Sequence, residues 1–241
     1  MARGETVRGA WLSLPSVECA ALLAGTPCDW LGVDMARSPA GVDVMARMVA
    51  AIARAGGPAP LVRVSTVEQA AQAVDAGAAG VVGPQVATAA QAGALVAATK
   101  FPPLGRRGYG SPYAGLTFGP SGPDYPGTVN ERVLAMVEIG HADALPHLDE
   151  ILSVPGVDGA YVASTDLAIS MGLGANPDSD DADYVRALET VVESGKQHDL
   201  PVGIFCSSPA SVQARPGQGF TLINVASDVG LLLQGMRARL T

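Results

Sequence analysis

Short apolar, β-branched runs alternate along this chain with longer alanine-rich stretches in which apolar residues return every three or four positions. The first pattern suits strands buried on both faces, and the second suits helices laid over them. Their alternation predicts βαβ units around a parallel sheet. Strands are expected at Val7–Leu14, Trp30–Met35, Pro60–Val64, Gly80–Gln85, Leu134–Gly140, Gly159–Ala163, Val202–Cys206 and Thr221–Ala226. Helices are expected at Gly41–Ala55, Val67–Ala76, Ala87–Thr99, Ala142–Ser153 and Asp181–His198. Asp75-Ala-Gly77 and Gly195 read as helix stops, because glycine adopts the left-handed conformation that ends a helix. Eight strands with helices between them match an α/β (β/α)8 TIM barrel, one domain over residues 1–241. A doubly wound open sheet would usually carry a glycine fingerprint after the first strand, and this chain has none there.

One stretch, 102–130, breaks the rhythm with many glycines and prolines. A segment of that length is either a surface excursion or oligomer contact, or a lid over the barrel mouth.

Composition narrows the setting. The chain has 48% hydrophobic and 16% charged residues and a net charge of −8, so it can fill a large core and offers no basic stripe for nucleic acid. No apolar run reaches membrane-spanning length, and Met1–Arg8 is polar rather than leader-like. Three cysteines, Cys19, Cys28 and Cys206, have no metal-type spacing. A reducing, cytoplasmic setting is expected. Cys206 reads as a buried thiol, since no histidine follows it in the chain.

Barrel enzymes carry their working groups at the C-terminal ends of the strands. Polar residues collected there are Asp34 and Arg37 (strand two), Arg63 (strand three), Gln85 (strand four), Glu138 and His141 (strand five), Ser164, Thr165 and Asp166 (strand six), and Ser227 and Asp228 (strand eight). An arginine inside Leu61-Val-Arg-Val64 needs a partner: an ion pair with Asp34 or Glu138, or a substrate carboxylate gripped by its planar fork. Glu138 and Asp166, on neighbouring strands, are candidate ligands for a divalent cation, since magnesium is often held by one or two carboxylates plus substrate oxygens. Asp166 and Asp228 equally suit helix N-caps. His141 is either a base or ligand, or a solvated first-turn residue. Only two lysines occur, Lys100 and Lys196, both late in helices and so at the wrong end of a barrel for a Schiff base. Carbonyl activation then falls to a metal or to arginines.

Several segments carry a resemblance to the HpcH/HpaI aldolase family, the class II 2-oxo-acid aldolases with the citrate lyase β-subunit relatives. Gly9-Ala-Trp-Leu-Ser-Leu14 resembles its opening strand, Cys28-Asp-Trp-Leu-Gly-Val-Asp-Met35 its FDWLLIDME segment, and Leu61–Val64 its VVRV strand. Phe101-Pro-Pro-Leu-Gly-Arg-Arg-Gly-Tyr-Gly-Ser111 resembles YPPxGxRGxGS, the most specific of the matches. Gly156-Val-Asp-Gly159 and Thr165-Asp-Leu167 resemble VDGVFIGPADLS. The similarity runs from Gly9 to Leu240.

The resemblance implies a barrel of phosphoenolpyruvate/pyruvate-domain type that joins or splits pyruvate and an aldehyde through a metal-stabilised enolate. It implies magnesium, manganese or cobalt, no organic cofactor, a small 2-oxo acid or di-acid substrate, and a trimer or hexamer. Carried across, Arg63 contacts the pyruvate oxygens, Asp166 is a metal ligand and Asp34 supports the base; Gln85, Ser164 and Thr165 are expected around the substrate.

Two positions depart from the family pattern. D-M-E-H-G reads Asp34-Met-Ala-Arg-Ser38, which puts Arg37 where the catalytic histidine stands, and arginine cannot act as a base near neutral pH. Q-I-E reads Glu138-Ile-Gly140, which removes the ligand glutamate. GPAD reads Ala163-Ser-Thr-Asp166 as well. Glu138, two residues earlier on the same strand face, is the expected substitute ligand, with His141 as ligand or base. Three outcomes stay open: an aldolase with a rearranged site; a decarboxylase, isomerase or eliminase on a small di-acid; or a non-catalytic binding homologue.

Overall fold

The computed structural model describes residues 5–110, 112–119 and 124–240. Ser111 of the glycine-rich motif and part of the 102–130 excursion lie outside them. Eight parallel strands close into a barrel in the order β1 to β8: Val7–Leu12, Trp30–Asp34, Ala59–Arg63, Gly80–Gln85, Leu134–Ile139, Gly159–Val162, Val202–Ile204 and Leu222–Ser227. The expected strands are all present, with ends that differ from expectation by at most two residues and, for β4, by none. Around them run α1 (Val17–Ala24), α2 (Val42–Ala55), α3 (Val67–Asp75), α4 (Ala89–Thr99), α5 (Gly115–Phe118), α6 (Tyr125–Arg132), α7 (Leu148–Leu152), α8 (Ser164–Ser170), α9 (Ala182–Gln197), α10 (Pro209–Ala214) and α11 (Asp228–Leu240).

Local chemistry explains the helices. In α2, Met45, Met48, Val49 and Ile52 recur at the spacing of one helical face, and all four are buried. Gly56 then ends it in the left-handed conformation. Thr66 caps α3 by accepting from the Gln69 amide, and Thr88 with Gln91 forms a capping box on α4.

Two expectations needed correction. The helix expected at Ala142–Ser153 divides into a 3-10 turn at Ala142–His147 and the short α7, because Pro146 cannot supply an amide to a continuous helix. Gly195 is not a helix stop. It lies buried inside α9, where a Cβ would come within 2.4 Å of the Val202 side chain. Glycine there lets α9 lie close on β7.

The strands sort their residues by alternation. Outward positions such as Val33, Val62, Val137 and Val162 join the large core under the helices. Inward positions fill the barrel with a second cluster: Trp11, Trp30, Leu61, Val82, Met136, Tyr161 and Leu222. Trp11 and Trp30 meet edge to face with ring centroids 5.2 Å apart. Their bulk is accommodated by glycines on the facing strands, since a Cβ at Gly32 would lie 2.2 Å from the Trp11 ring and one at Gly9 2.3 Å from Trp30. Following the inner face upward, β2 reads Trp30, Gly32, Asp34, β3 reads Leu61, Arg63, and β5 reads Met136, Glu138. The period of two therefore carries one charged residue per strand to the top of an otherwise apolar filling.

The described part of the 102–130 excursion lies at the opposite end. It leaves α4 and returns to the start of β5. Arg107 pairs with Asp75 at the end of α3, at 2.6 Å, and the Thr117 hydroxyl donates to the Gly77 carbonyl. Lys100 is buried there, with Nζ donating to the carbonyls of Asn130 (2.9 Å) and Val133 (2.7 Å) and paired with Asp158 at 2.7 Å. The described part of the segment does not cover the mouth; it braces the strands' N-terminal end of the barrel, because a connection from a helix to the next strand runs there. No described helix is long and apolar enough to cross a membrane.

Candidate functional site

A cavity of about 310 Å³ opens at the C-terminal ends of the strands. Its charged wall comes from Asp34, Arg37, Arg63 and Asp166, and its apolar wall from Trp11, Tyr161 and Phe205. Ser13, Ala163, Ser164, Thr165 and Ser227 complete the lining. The Trp11 indole donates to the Tyr161 hydroxyl at 2.7 Å, which fixes both rings at the floor. Burial pushes the Tyr161 phenol far above its usual range, against the opposing pull of Trp11 and Arg63, so it stays a neutral wall of the site.

Arg63 is the centre of the charged wall. Its Nε donates to Glu138 Oε2 at 2.9 Å and its Nη2 to Glu138 Oε1 at 2.6 Å, a two-pronged pair across the inner barrel. Nη2 also lies 3.4 Å from Asp166 Oδ2, and Nη1 3.7 Å from Asp34 Oδ2. Burial works against the guanidinium charge, but the hydrogen bonds and charge of Glu138, then Asp34, outweigh it, so Arg63 holds its proton more tightly than a free arginine.

Asp34 also shapes the turn that follows it. Its Oδ1 accepts from the amides of Ala36 and Arg37, both at 2.9 Å, which sets the direction of the Arg37 side chain. Arg37 reaches across the mouth, and its Nη2 donates to Asp166 Oδ2 at 3.0 Å. Asp166 sits in the first turn of α8 but is not its cap, which is Ala163 with no side-chain bond. Asp228 is not the expected cap either: it is the first residue of α11, the Ser227 hydroxyl accepts from the Gly230 amide, and the Asp228 carboxylate accepts from the amides of Ser13 and Leu14, tying the end of β1 to the start of α11. The Ser164 hydroxyl donates to the Phe205 carbonyl at 2.7 Å, and Thr165 faces the cavity from the same turn.

Besides Asp228, three sequence candidates stand apart from the cavity lining. His141 points to solvent, its Nδ1 accepting from the Asp143 amide at 3.2 Å, because it caps the 3-10 turn after β5. Gln85 is exposed on the rim, beside Gly140. Glu138 is only 2% exposed and lies behind Arg63, its two oxygens engaged from the cavity side. Trp11, Tyr161, Phe205 and Ser13 were not foreseen. Their signal was the inward parity of their strands: Trp11 and Ser13 alternate with Leu12, as Asp34 does with Val33.

The expected divalent metal can be tested against these donors. A Cβ at Gly140 would lie 3.4 Å from the Asp166 Cβ and 2.9 Å from Gln85 Nε2, so a side chain there would join Asp166; glycine supplies no donor. Glu138 does not replace it, since both its oxygens face Arg63. Asp166 Oδ2 is itself shared by two guanidinium groups. Among the described residues no group of three or more His, Cys, Asp or Glu side chains can hold a metal ion. The donor set does not fit the Glu138–Asp166 metal pair. Neither lysine lines the cavity: Lys100 is buried at the opposite end of the barrel, paired with Asp158, and Lys196 is exposed on α9.

Barrel, cavity at the strands' C-terminal ends, and an arginine fork over an aromatic floor define a small-anion enzyme of the TIM-barrel class. The HpcH/HpaI aldolase/citrate lyase profile matches residues 8–235, and the chain belongs to that family. It is 34% identical over 236 residues to a hydroxypyruvate/pyruvate aldolase of Rhizorhabdus wittichii, covering 97% of this chain and 92% of that protein. It is also 34% identical over 237 residues to a 4-hydroxy-2-oxo-heptane-1,7-dioate aldolase of Klebsiella pneumoniae, covering 98% and 88%. A solved HpcH/HpaI aldolase/citrate lyase family protein of Burkholderia cenocepacia superposes with a TM-score of 0.89 at 33% identity, covering 98% of this chain and 94% of that one.

Proposed function

We propose that this protein is a carbon–carbon lyase of the aldolase type, acting on a small 2-oxo acid at the β-barrel mouth. The observation that carries the reading is Arg63. It stands at the top of β3, fixed on one edge by Glu138, with its remaining donors directed at the cavity carboxylates. A 2-oxo acid offers a carboxylate and an adjacent carbonyl, the acceptor pair that such a fork fits. Trp11, Tyr161 and Phe205 keep that end of the substrate away from water. Ser164 and Thr165 flank it, and Asp34 and Asp166 are the two carboxylates close enough to the reacting end to handle a proton. The aldehyde half would lie toward the open rim of the cavity. Relatives named as aldolases over nearly the full chain support the reaction class.

The test is retro-aldol cleavage of 4-hydroxy-2-oxo acids, read as pyruvate release, together with deuterium exchange at C3 of pyruvate followed by NMR. Release or exchange that saturates with substrate supports the reading. A folded protein that shows neither would sink it.

We further propose a homo-oligomer and a cytoplasmic setting. Leu231, Leu232, Leu233, Met236 and Leu240 of α11 are all exposed, as is Val225 on β8 where a covering helix would lie. A second copy of the chain is the partner that such surfaces suit. The three cysteines are free thiols, in keeping with a reducing compartment.

A further inference from the structure

We infer that the guanidinium of Arg37 stands in for a divalent cation at this site, and that Arg37 and Arg63 together bind the carboxylate end of a 2-oxo acid without metal. The inference rests on the 2-oxo-acid reading above and concerns how that substrate is held.

Three observations carry it. The first is the donor count. The cavity is faced by two carboxylates, Asp34 and Asp166, while Glu138 is turned into the barrel and Gly140 offers no atom beside Asp166. Asp34 is committed as well, with Oδ1 held by two backbone amides and Oδ2 facing Arg63. That leaves Asp166 as the one carboxylate open to magnesium, the low end of the one or two that such an ion uses beside substrate oxygens, and its Oδ2 is already engaged.

The second observation is charge. Asp166 Oδ2 already lies 3.0 Å from Arg37 Nη2 and 3.4 Å from Arg63 Nη2. A divalent ion on that oxygen would sit against two permanent positive charges in a partly enclosed cavity, where Coulomb repulsion is weakly screened. The Asp166 oxygen that a cation would need is already taken by guanidinium nitrogen from both arginines.

The third is the contrast between the two arginines. The Arg63 side chain is 14% exposed and locked by Glu138, whereas Arg37 is 54% exposed and tied at its head to Asp166. A half-exposed ion pair of this kind contributes little net stability, so an incoming carboxylate can replace Asp166 on Arg37 without disturbing the fold. The result is one fixed fork and one movable fork on the same anion. Both are always charged, and both are planar donors suited to a planar carboxylate.

The experiment titrates pyruvate into the full chain by calorimetry after dialysis against chelator, then again with added Mg2+, and follows Mn2+ binding to the protein alone by EPR. Pyruvate is expected to bind the chelator-treated protein, with affinity changed less than twofold by Mg2+, and with no stoichiometric Mn2+ site. Arg37→Gln should weaken pyruvate at least tenfold, and Arg37→Lys should recover only part of that, because the charge returns without the fork. Since Arg37 is half exposed, both variants should keep the wild-type circular dichroism spectrum. Binding that appears only with Mg2+, a stoichiometric Mn2+ site, or an Arg37→Gln variant with wild-type affinity would overturn the inference and leave the 2-oxo-acid reading standing. A folded protein that binds no pyruvate with or without metal would overturn both.

Discussion

Arg63 and Glu138 join β3 to β5 across the intervening strand through two hydrogen bonds of 2.9 and 2.6 Å, with side chains only 14% and 3% exposed. Removing one member of such a buried pair strands the charge of the other. Glu138→Ala is expected to lower unfolding stability by about 3–5 kcal/mol, measured by urea titration. Glu138→Gln retains an acceptor and should lose less, about 1–3 kcal/mol. A loss below about 1 kcal/mol in the alanine variant would mean that Asp34 and Asp166 satisfy Arg63 unaided.

Arg63→Lys keeps the charge but not the fork. Its kcat/KM for a 4-hydroxy-2-oxo acid should fall by at least about tenfold. His141→Ala is the companion measurement. His141 stands outside the cavity on the Asp143 amide, so its removal should leave kcat/KM within about twofold of wild type. A collapse of activity in the His141 variant would return that residue to the role the sequence suggested.

Alkaline conditions should weaken the fold through Cys206. Burial pushes its thiol from 9.0 to about 11, against the opposing pull of Arg215 and Ser211. Between those values the unfolded chain has lost a proton that the folded chain keeps. The stabilising contribution is therefore complete below pH 9 and is lost as pH rises through about 11. Melting temperatures recorded from pH 8 to 11 should fall more steeply for wild type than for Cys206→Ala. Parallel curves would refute the assignment.

The glycine on β2 is a packing requirement. A methyl at Gly32 would enter the Trp11 ring, so Gly32→Ala should lose about 1–3 kcal/mol in thermal unfolding and broaden the near-ultraviolet dichroism of the tryptophans. An unchanged melting temperature would show that the two rings can shift freely.

Assembly is addressed on α11. Charges placed on its exposed apolar residues, as in a Leu232→Glu, Met236→Glu double variant, should reduce the mass seen by sedimentation velocity without unfolding the barrel. If wild type already sediments as a single chain, the homo-oligomer proposal is wrong.

Most of the barrel was legible because parallel strands buried on both faces leave short apolar runs, and these survive in single-letter form at all eight strands. Two signals misled. Gly195 reads as a stop when only nearest neighbours are considered, but its missing side chain answers to Val202, seven residues on. Pro146 was read inside a helix that it divides. For the site, the strand ends named Asp34, Arg63 and Asp166, and all three line the same cavity. They could not show that Glu138 lies behind Arg63, because that depends on which side of the guanidinium each carboxylate reaches. His141 stands outside the cavity for a related reason: being next to a strand end fixes a backbone position and leaves the side chain's direction open. Trp11 and Tyr161 were passed over as core, and they are core; they are also the floor of the cavity.

That double role has a practical side. The chain contains two tryptophans, Trp11 and Trp30, and both lie edge to face inside the barrel, one of them against the cavity. Their light emission thus comes from a single place, with no surface indole to dilute it. Any molecule that settles on the floor beside Trp11 and Tyr161 changes the surroundings of one of the two tryptophans in the protein. The site carries its own optical reporter, and an unlabelled sample in a fluorimeter is enough to screen candidate acids before any product assay exists.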